Sequence, residues 1–222
     1  PARGGVDGET VDEAKVRGPV VLRTRDRAVT SEDYEHLCKQ VAPEVARVRC
    51  VPGDDSEPGA VRVLVVPDAT DEGGRVRFED LVPADETLER IATFLDERRC
   101  LGARVVVEPP VYQGITVVAR IRARRRASTD RLRSEAAEAL YHYFHPISGG
   151  PDGDGWPFGR PINVGEVYAV MQRLAGTELV EDARLFAADP LTGERGPQVQ
   201  RIDIDGDALV FSFEHQIRVE AG

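Results

Sequence analysis

The stretch from Ala103 to Arg124 constrains the fold of this chain more than any other. Val105–Val107 form a short β-branched run, which Pro109-Pro110 ends. From Ile115 to Arg124, small or β-branched apolar residues occupy every second position, a period typical of a strand with one buried and one solvated face. Because proline has no N–H to donate to a ladder, the double proline separates two strands. We expect one α/β unit to end here and another to begin.

Length and charge narrow the class of protein. A chain of 222 residues suits one large domain or two small ones, and a hydrophobic content of 41% is enough for true cores. The net charge of -10 argues against a nucleic-acid binder as a whole and favours partners with basic patches. We therefore expect a soluble protein without a nucleic-acid partner.

The cysteines and the apolar runs carry no special chemistry. Cys38, Cys50 and Cys100 lie far apart and form no CxxC, which indicates buried thiols in a reducing compartment.

No apolar run reaches the roughly 20 residues of a membrane span, and no signal peptide is visible, so membrane insertion is not expected. The chain starts at Pro1 without a methionine, and we expect it to be a piece of a longer protein.

The pattern before Pro110 predicts a ferredoxin-like domain. Thr30 and Asp33 are suited to the start of a helix, since a hydroxyl accepts from first-turn amides and a carboxylate favours the positive end. The expected order is a strand near 20–24, a helix, strands at 45–51 and 61–66, a helix from about 85, and a strand at 105–107. Helices would cover one face of an antiparallel sheet, in the split βαβ order.

The second half predicts a similar unit. Strand 115–124 leads to a helix from about Ser128, a stiff Gly/Pro-rich loop at 148–161, and a helix that begins with a capping-box pair, Asn163 and Glu166. Strands are expected at 178–186, 198–204 and 208–219, with Asp205-Gly206 as a two-residue hairpin turn. The predicted organisation is α+β: an extended arm or the end of a preceding domain at 1–27, followed by two consecutive ferredoxin-like α/β-sandwich domains at 28–110 and 111–222.

Several spaced pieces near the N-terminus resemble one family. They are Gly4-Gly5-Val6-Asp7-Gly8-Glu9-Thr10, Glu13-Ala14, Leu22-Arg23-Thr24, Arg27-Ala28-Val29-Thr30 and Glu32-Asp33-Tyr34-Glu35. Pro43 and Val45-Ala46-Arg47-Val48 continue the likeness. Together they resemble baseplate J-like proteins, which form baseplate wedges in contractile phage tails and phage-tail-like injection systems. The order of elements resembles the C-terminal part of such proteins.

The resemblance implies a structural role without catalysis or cofactors. Its expected partners are other baseplate wedge proteins and the tail tube, hub and sheath-proximal subunits, in a six-fold particle assembled in the cytoplasm. The isolated fragment is compatible with a monomer. Two other classes remain open: a tandem ferredoxin-like module that binds a small ligand or a regulatory partner, and a metal hydrolase that uses His142 and His145.

Possible metal sites have simpler explanations. His142 and His145 are three apart, but zinc needs two more ligands, and neighbouring aromatic residues favour packing. Asp203, Asp205, Asp207 and Glu214 match four positions of a calcium loop, but Ala208 stands where the loop needs glycine. The Asp152/Asp154 pair is interpreted as a solvated turn. No metal site is expected.

Two features are candidates for partner contact. Arg120, Arg122 and Arg124 form a basic strand face that pairs either with the protein's own carboxylates or with an acidic neighbour. Trp156 and Phe158 lie in the stiff loop, where aromatic side chains would be good interface anchors if exposed. The alternative is that both rings fold back into the core of the second domain.

Overall fold

The computed structural model describes residues 26–53, 59–69 and 74–222, with the isolated positions 10, 11, 15 and 18. The predicted strand at 20–24 lies outside these residues, as do most of the predicted arm at 1–27 and the first pieces of the family resemblance. The chain divides into two compact units, one of residues 1–65 and 84–108, the other of residues 66–83 and 109–222. In the described part of the chain, no helix has the length and apolarity that crossing a bilayer requires.

The first unit packs two helices on a three-stranded sheet. Its elements are α1 (Ser31–Val41), β1 (Val45–Pro52), β2 (Ala60–Pro67), α2 (Asp85–Asp96) and β3 (Arg104–Glu108). The sheet order is β1-β2-β3, with β2 and β3 parallel. The ferredoxin-like arrangement is not confirmed, because β2 and β3 are direct neighbours, whereas the split βαβ order places another strand between two such strands.

The start of α1 follows from its sequence. Thr30 Oγ1 accepts from the backbone N–H of Asp33 at 3.3 Å, and Asp33 Oδ2 accepts from the backbone N–H of Thr30 at 2.8 Å. This reciprocal capping box gives side-chain acceptors to two amides at the helix start, where no regular i−4 helical hydrogen bond forms. The buried face of α1, with Tyr34 and Leu37, packs with Ile91 of α2 and Val63 of β2 in one apolar core.

The second unit is built around the 13-residue strand β4 (Val111–Ala123). The other elements are α3 (Thr129–Tyr143), β5 (Ile162–Asn163), α4 (Val164–Gln172), β6 (Thr177–Ala188), β7 (Arg195–Val199), β8 (Arg201–Ile202), β9 (Ala208–Ser212) and β10 (Gln216–Glu220). The main sheet has the order β10-β4-β6-β7, and β9 also pairs with β4. Strand β4 is antiparallel to β6 but parallel to β9 and β10, so this sheet is mixed. The second ferredoxin-like domain is therefore not confirmed either.

Residues 66–83 were expected in the first domain but belong to the second unit. Their apolar side chains, Val66, Val76 and Leu81, form a cluster with Tyr112 and Leu209. Tyr112 Oη donates to the carbonyl of Leu81 at 3.2 Å. Side-chain packing thus assigns the end of β2 and the stretch before α2 to the second unit.

The predicted strand over 208–219 is two strands. Strands β9 and β10 pair with Val111–Ile115 and Val118–Arg122 of β4, and residues 213–215 break the ladder between them. The predicted hairpin at Asp205-Gly206 is wrong, because β8 pairs with β5 and β9 pairs with β4. The loop at 148–161 reaches this turn: Gly159 N donates to the carbonyl of Ala208 at 3.1 Å.

Candidate interaction site

The break between β9 and β10 is filled by one side chain. His215 Nδ1 accepts from the backbone N–H of Val117 at 3.1 Å, so the amide in the gap keeps a partner. The backbone N–H of His215 donates to Tyr141 Oη at 3.2 Å, and the two rings stack with centroids 4.6 Å apart. Since Nδ1 is the acceptor, the proton of the neutral ring is on Nε2.

Burial keeps this imidazole neutral. Desolvation, aided by the positive charge of Arg75, lowers the pKa of His215 from 6.5 to about 3. Nε2 is buried and has no hydrogen-bond partner among the described residues. His215 therefore presents a neutral ring with one unused donor.

His215 contributes to the wall of an open groove of about 740 Å³ in the second unit. The groove is lined by residues of α3, β4, β6 and β10 and by the residue before β10: Val118, Ala119, Arg120, Arg133, Ser134, Ala137, Asp182, Arg184, His215, Gln216, Ile217 and Arg218. Four of these carry a guanidinium and one a carboxylate. We call this site the arginine groove.

Strand register brings two of these cations together. Arg218 of β10 is paired directly with Arg120 of β4, and Arg120 is paired with Asp182 of β6. Residues paired in this way point to the same face of the sheet, and like charges in such positions repel. This row therefore holds two guanidinium groups and one carboxylate, with Arg120 between Arg218 and Asp182.

Nearby carboxylates neutralise the groove in part. Arg120 Nε lies 2.9 Å from Glu181 Oε2, and Arg122 bonds the same carboxylate. Arg184 Nε lies 2.8 Å from Asp182 Oδ2, so Asp182 is paired with Arg184. No ion pair to Arg218 is found within the described part of the chain, and its side chain is exposed. The groove keeps an excess of positive charge around Arg218.

Arg133 extends the positive wall on the α3 side. Its Nη2 lies 3.0 Å from Asp130 Oδ1, and both side chains are more than half exposed, at 58% and 82%. An ion pair this open to solvent is weak. Arg133 is therefore free to exchange Asp130 for a ligand carboxylate.

The three arginines predicted from sequence have different surroundings. Arg120 lines the groove, Arg122 bonds Glu181, and Arg124 Nε donates to the carbonyl of Thr177 at 3.0 Å. The arginines of α3, β6 and β10 were not predicted, because they come from other elements. In Gln216–Glu220, apolar and polar residues alternate. This alternation could have predicted that Arg218 lies on the exposed face of a strand.

The aromatic residues of the stiff loop fold inward. Trp156 is fully buried, its Nε1 donates to the carbonyl of Arg160 at 3.0 Å, and its ring packs beside Tyr143 and Phe144. Phe158 is half-buried against the cluster around Tyr112. The interpretation of Trp156 as an exposed anchor is corrected, because no surface of its side chain is left for a partner.

The possible metal and thiol sites have ordinary surroundings. His145 Nδ1 accepts from the backbone N–H groups of Ile147 and Ser148, each at 3.1 Å, while His142 is exposed. No group of three or more potential metal ligands occurs in the described ranges. Burial raises the pKa of Cys38 to about 12 and that of Cys50 to about 11. Cys100 is exposed, contrary to the expectation of a buried thiol.

The comparisons with known proteins identify a fold. The chain is similar to a chain in the cryo-EM structure of the anti-feeding prophage (AFP) baseplate, 6-fold symmetrised, with a TM-score of 0.63 over 93% of its residues. The sequences are 19% identical, and the match spans 42% of that chain. No protein-family model and no curated protein matches this sequence. The chain thus shares the fold of part of a baseplate protein.

Proposed function

We propose that this chain is part of a baseplate J-like wedge protein of a contractile phage tail or phage-tail-like injection system. The observation that carries the proposal is the structural likeness to a baseplate chain over 93% of the residues. The resemblance at the N-terminal motifs points the same way from sequence. A likeness confined to one helix pair or one sheet would carry little weight, but this one spans both compact units.

The proposed mechanism is assembly without catalysis. Two α/β units, each with its own apolar core, would present charged outer faces to neighbouring wedge subunits and to the tube, hub or sheath-proximal proteins. The protein would be made in the cytoplasm and then become part of the particle. Since the match spans 42% of the baseplate chain, further parts of the wedge would lie outside this chain.

A second candidate function is a module that binds a small anionic ligand or a regulatory partner. The arginine groove favours it, since about 740 Å³ is within the size range of small-molecule sites. Saturable stabilisation by a phosphorylated or carboxylated metabolite would support this alternative.

Sedimentation tests the proposal. An epitope tag on the natural full-length protein allows it to be followed through a sucrose gradient of lysed cells, with negative-stain microscopy of each fraction. Co-sedimentation with sheathed, rod-like particles supports a baseplate role. Confinement to the light fractions, while such particles form a heavier band, contradicts it. A tagged cytoplasmic enzyme from the same cells controls for trapping.

A further inference from the structure

We propose that the arginine groove binds an acidic peptide segment of a neighbouring subunit, whose carboxylates contact Arg218 and Arg120 on one face of the sheet and Arg133 on the α3 side of the edge strand β10. This inference rests on the proposed function, because it names the chemistry of one neighbour that the assembly would require. The bound groups are glutamate or aspartate side chains, and no covalent step is involved.

The first argument is the arrangement of charge. Arg218 and Arg120 are paired on adjacent parallel strands. Of the carboxylates beside them, Glu181 is shared between Arg120 and Arg122, and Asp182 is paired with Arg184. Like charges in this arrangement repel. An anion between the two guanidinium groups removes the repulsion and gains charge-assisted hydrogen bonds. Binding of an anion beside Arg218 and Arg120 is therefore expected to lower the free energy of the protein.

The second argument is the size and composition of the groove. A volume of about 740 Å³ exceeds the needs of one inorganic ion. The apolar residues that line the groove are Val118, Ala119, Ala137 and Ile217. Such a surface suits the methylene groups of glutamate side chains, with the carboxylates reaching the guanidinium groups. A peptide with several carboxylates can occupy both kinds of surface at once.

The third argument separates an acidic peptide from a nucleic acid. Single-strand binding sites combine positive charge with aromatic side chains on which bases stack. Of the residues that line the groove, none is Phe, Tyr or Trp. The imidazole of His215 is stacked on Tyr141 instead, with ring centroids 4.6 Å apart. The groove therefore offers charge without a platform for bases.

The binding test uses the 222-residue chain and fluorescein-labelled decaglutamate, followed by fluorescence anisotropy at low and moderate salt. The expected result is saturable binding that weakens as salt screens the charges. Replacement of Arg218 by Gln (R218Q) or Arg133 by Gln (R133Q) is expected to raise the Kd roughly tenfold, about one charge-assisted bond. Arg125→Gln removes an exposed arginine that does not line the groove, and is expected to leave the Kd unchanged.

Folding is controlled by the thermal midpoint of each variant. Arg133 lies on the exposed side of α3, so R133Q keeps the test valid if R218Q disturbs the sheet. Equal loss of affinity in R125Q and R218Q overturns the proposal, because binding then follows net charge alone. Displacement of decaglutamate by equimolar inorganic phosphate, or tighter arginine-dependent binding of single-stranded DNA, also overturns it. Self-association that R218Q abolishes identifies a second copy as the occupant and overturns the proposal of a different subunit.

The inference and the proposed function fail in different ways. If decaglutamate does not bind but the full-length protein enters sheathed particles, the groove inference is wrong and the baseplate role stands. If decaglutamate binds through Arg218 and the protein stays out of particles, the baseplate role is wrong. The groove inference and the baseplate proposal are tested together by the incorporation of full-length R218Q and R125Q into particles. R218Q is expected to be depleted from the particles relative to R125Q. Equal incorporation of both variants contradicts a role for the groove in assembly.

Discussion

Arg218 of β10 and Arg120 of β4 are paired in register on adjacent parallel strands, with their side chains on one face of the sheet. Neighbouring like charges usually lower the stability of a sheet, and among the described residues neither arginine has a carboxylate to itself. Strand β10 is an edge strand of the sheet. Replacement of Arg218 by an uncharged residue would remove the repulsion at this exposed position. This face therefore differs from an ordinary solvated sheet surface, because two guanidinium groups are neighbours on it.

Charge reversal at Arg218 is expected to stabilise the protein. Arg218→Glu places a carboxylate beside Arg120, and a cross-strand pair of opposite charges contributes about 0.2–1 kcal/mol. Urea unfolding at low salt measures the gain, which is expected to shrink as salt is added. Arg125→Glu makes the same change of charge away from the pair. A similar gain from both variants would show that net charge, and not the pair, is responsible.

Removal of the Tyr141 hydroxyl is expected to be costly. In Tyr141→Phe the backbone N–H of His215 loses its acceptor while buried, which costs about 1–3 kcal/mol of unfolding free energy. Tyr112→Phe is the matched control, since it leaves the Leu81 carbonyl without that donor, and an under-satisfied carbonyl is better tolerated. Equal costs measured by urea unfolding would contradict the role given to the hydroxyl at the strand break.

Stability is expected to fall in mild acid because of His215. Its pKa is about 3 in the folded protein and 6.5 in an ordinary side chain, so the unfolded state binds the extra proton between these values. This contribution is complete above the ordinary pKa and is lost as the pH falls, with a limiting slope of about 1.4 kcal/mol per pH unit.

The pH profile is checked with a variant that does not titrate at this position. Urea unfolding of the wild type and of His215→Gln, compared between about pH 7 and about pH 5, isolates the contribution of one proton. The wild type is expected to lose more stability than the variant over this range. Parallel profiles would show that His215 exchanges protons as freely in the folded protein as in the unfolded chain.

Trp156 offers a direct optical measurement of burial, because it is the single tryptophan. Its ring is fully buried, so a blue-shifted emission and weak quenching by acrylamide are expected. Trp156→Phe also loses the hydrogen bond to the carbonyl of Arg160 and is expected to lower stability. Strong quenching in the native protein would restore the interpretation of Trp156 as an exposed partner anchor.

The two helices of the first unit offer a matched pair of capping variants. Thr30→Ala removes the side-chain acceptor at the start of α1 and is expected to cost about 0.5–2 kcal/mol. Ala84 precedes α2 with extended backbone and no side-chain cap, so Ala84→Ser is expected to stabilise by a similar mechanism. Urea midpoints measure both. Opposite signs support the capping assignments, and a loss from Ala84→Ser would contradict the second.

Local signals in the sequence predicted the elements better than their arrangement. Thr30 with Asp33, Ser128, and Asn163 with Glu166 identified helix starts that the structure confirms. These signals depend on residues three or four positions apart. Strand pairing depends on distant residues, so neither the parallel contact of β2 with β3 nor that of β10 with β4 was predicted.

The strand break at 213–215 shows why part of the candidate site could not be predicted from the sequence. Apolar β-forming residues on both sides of 213–215 predicted one continuous strand over 208–219, whereas the ring of His215 accepts from the amide of Val117 at the break. Burial of Trp156 likewise depends on Tyr143 and Phe144 in the preceding helix and its cap. The basic character of Arg120 and Arg122 was visible in sequence, but their shared use of Glu181 was not.

The most direct test of the baseplate proposal is immunogold electron microscopy of particles from cells that make this protein. Antibodies raised against the 222-residue chain are applied to purified sheathed particles, with antibodies to a sheath protein as the control. The account predicts gold at one end of the tube, where the baseplate lies, while the control labels the length of the particle. Particles with well-preserved baseplates and no gold at that end would contradict it.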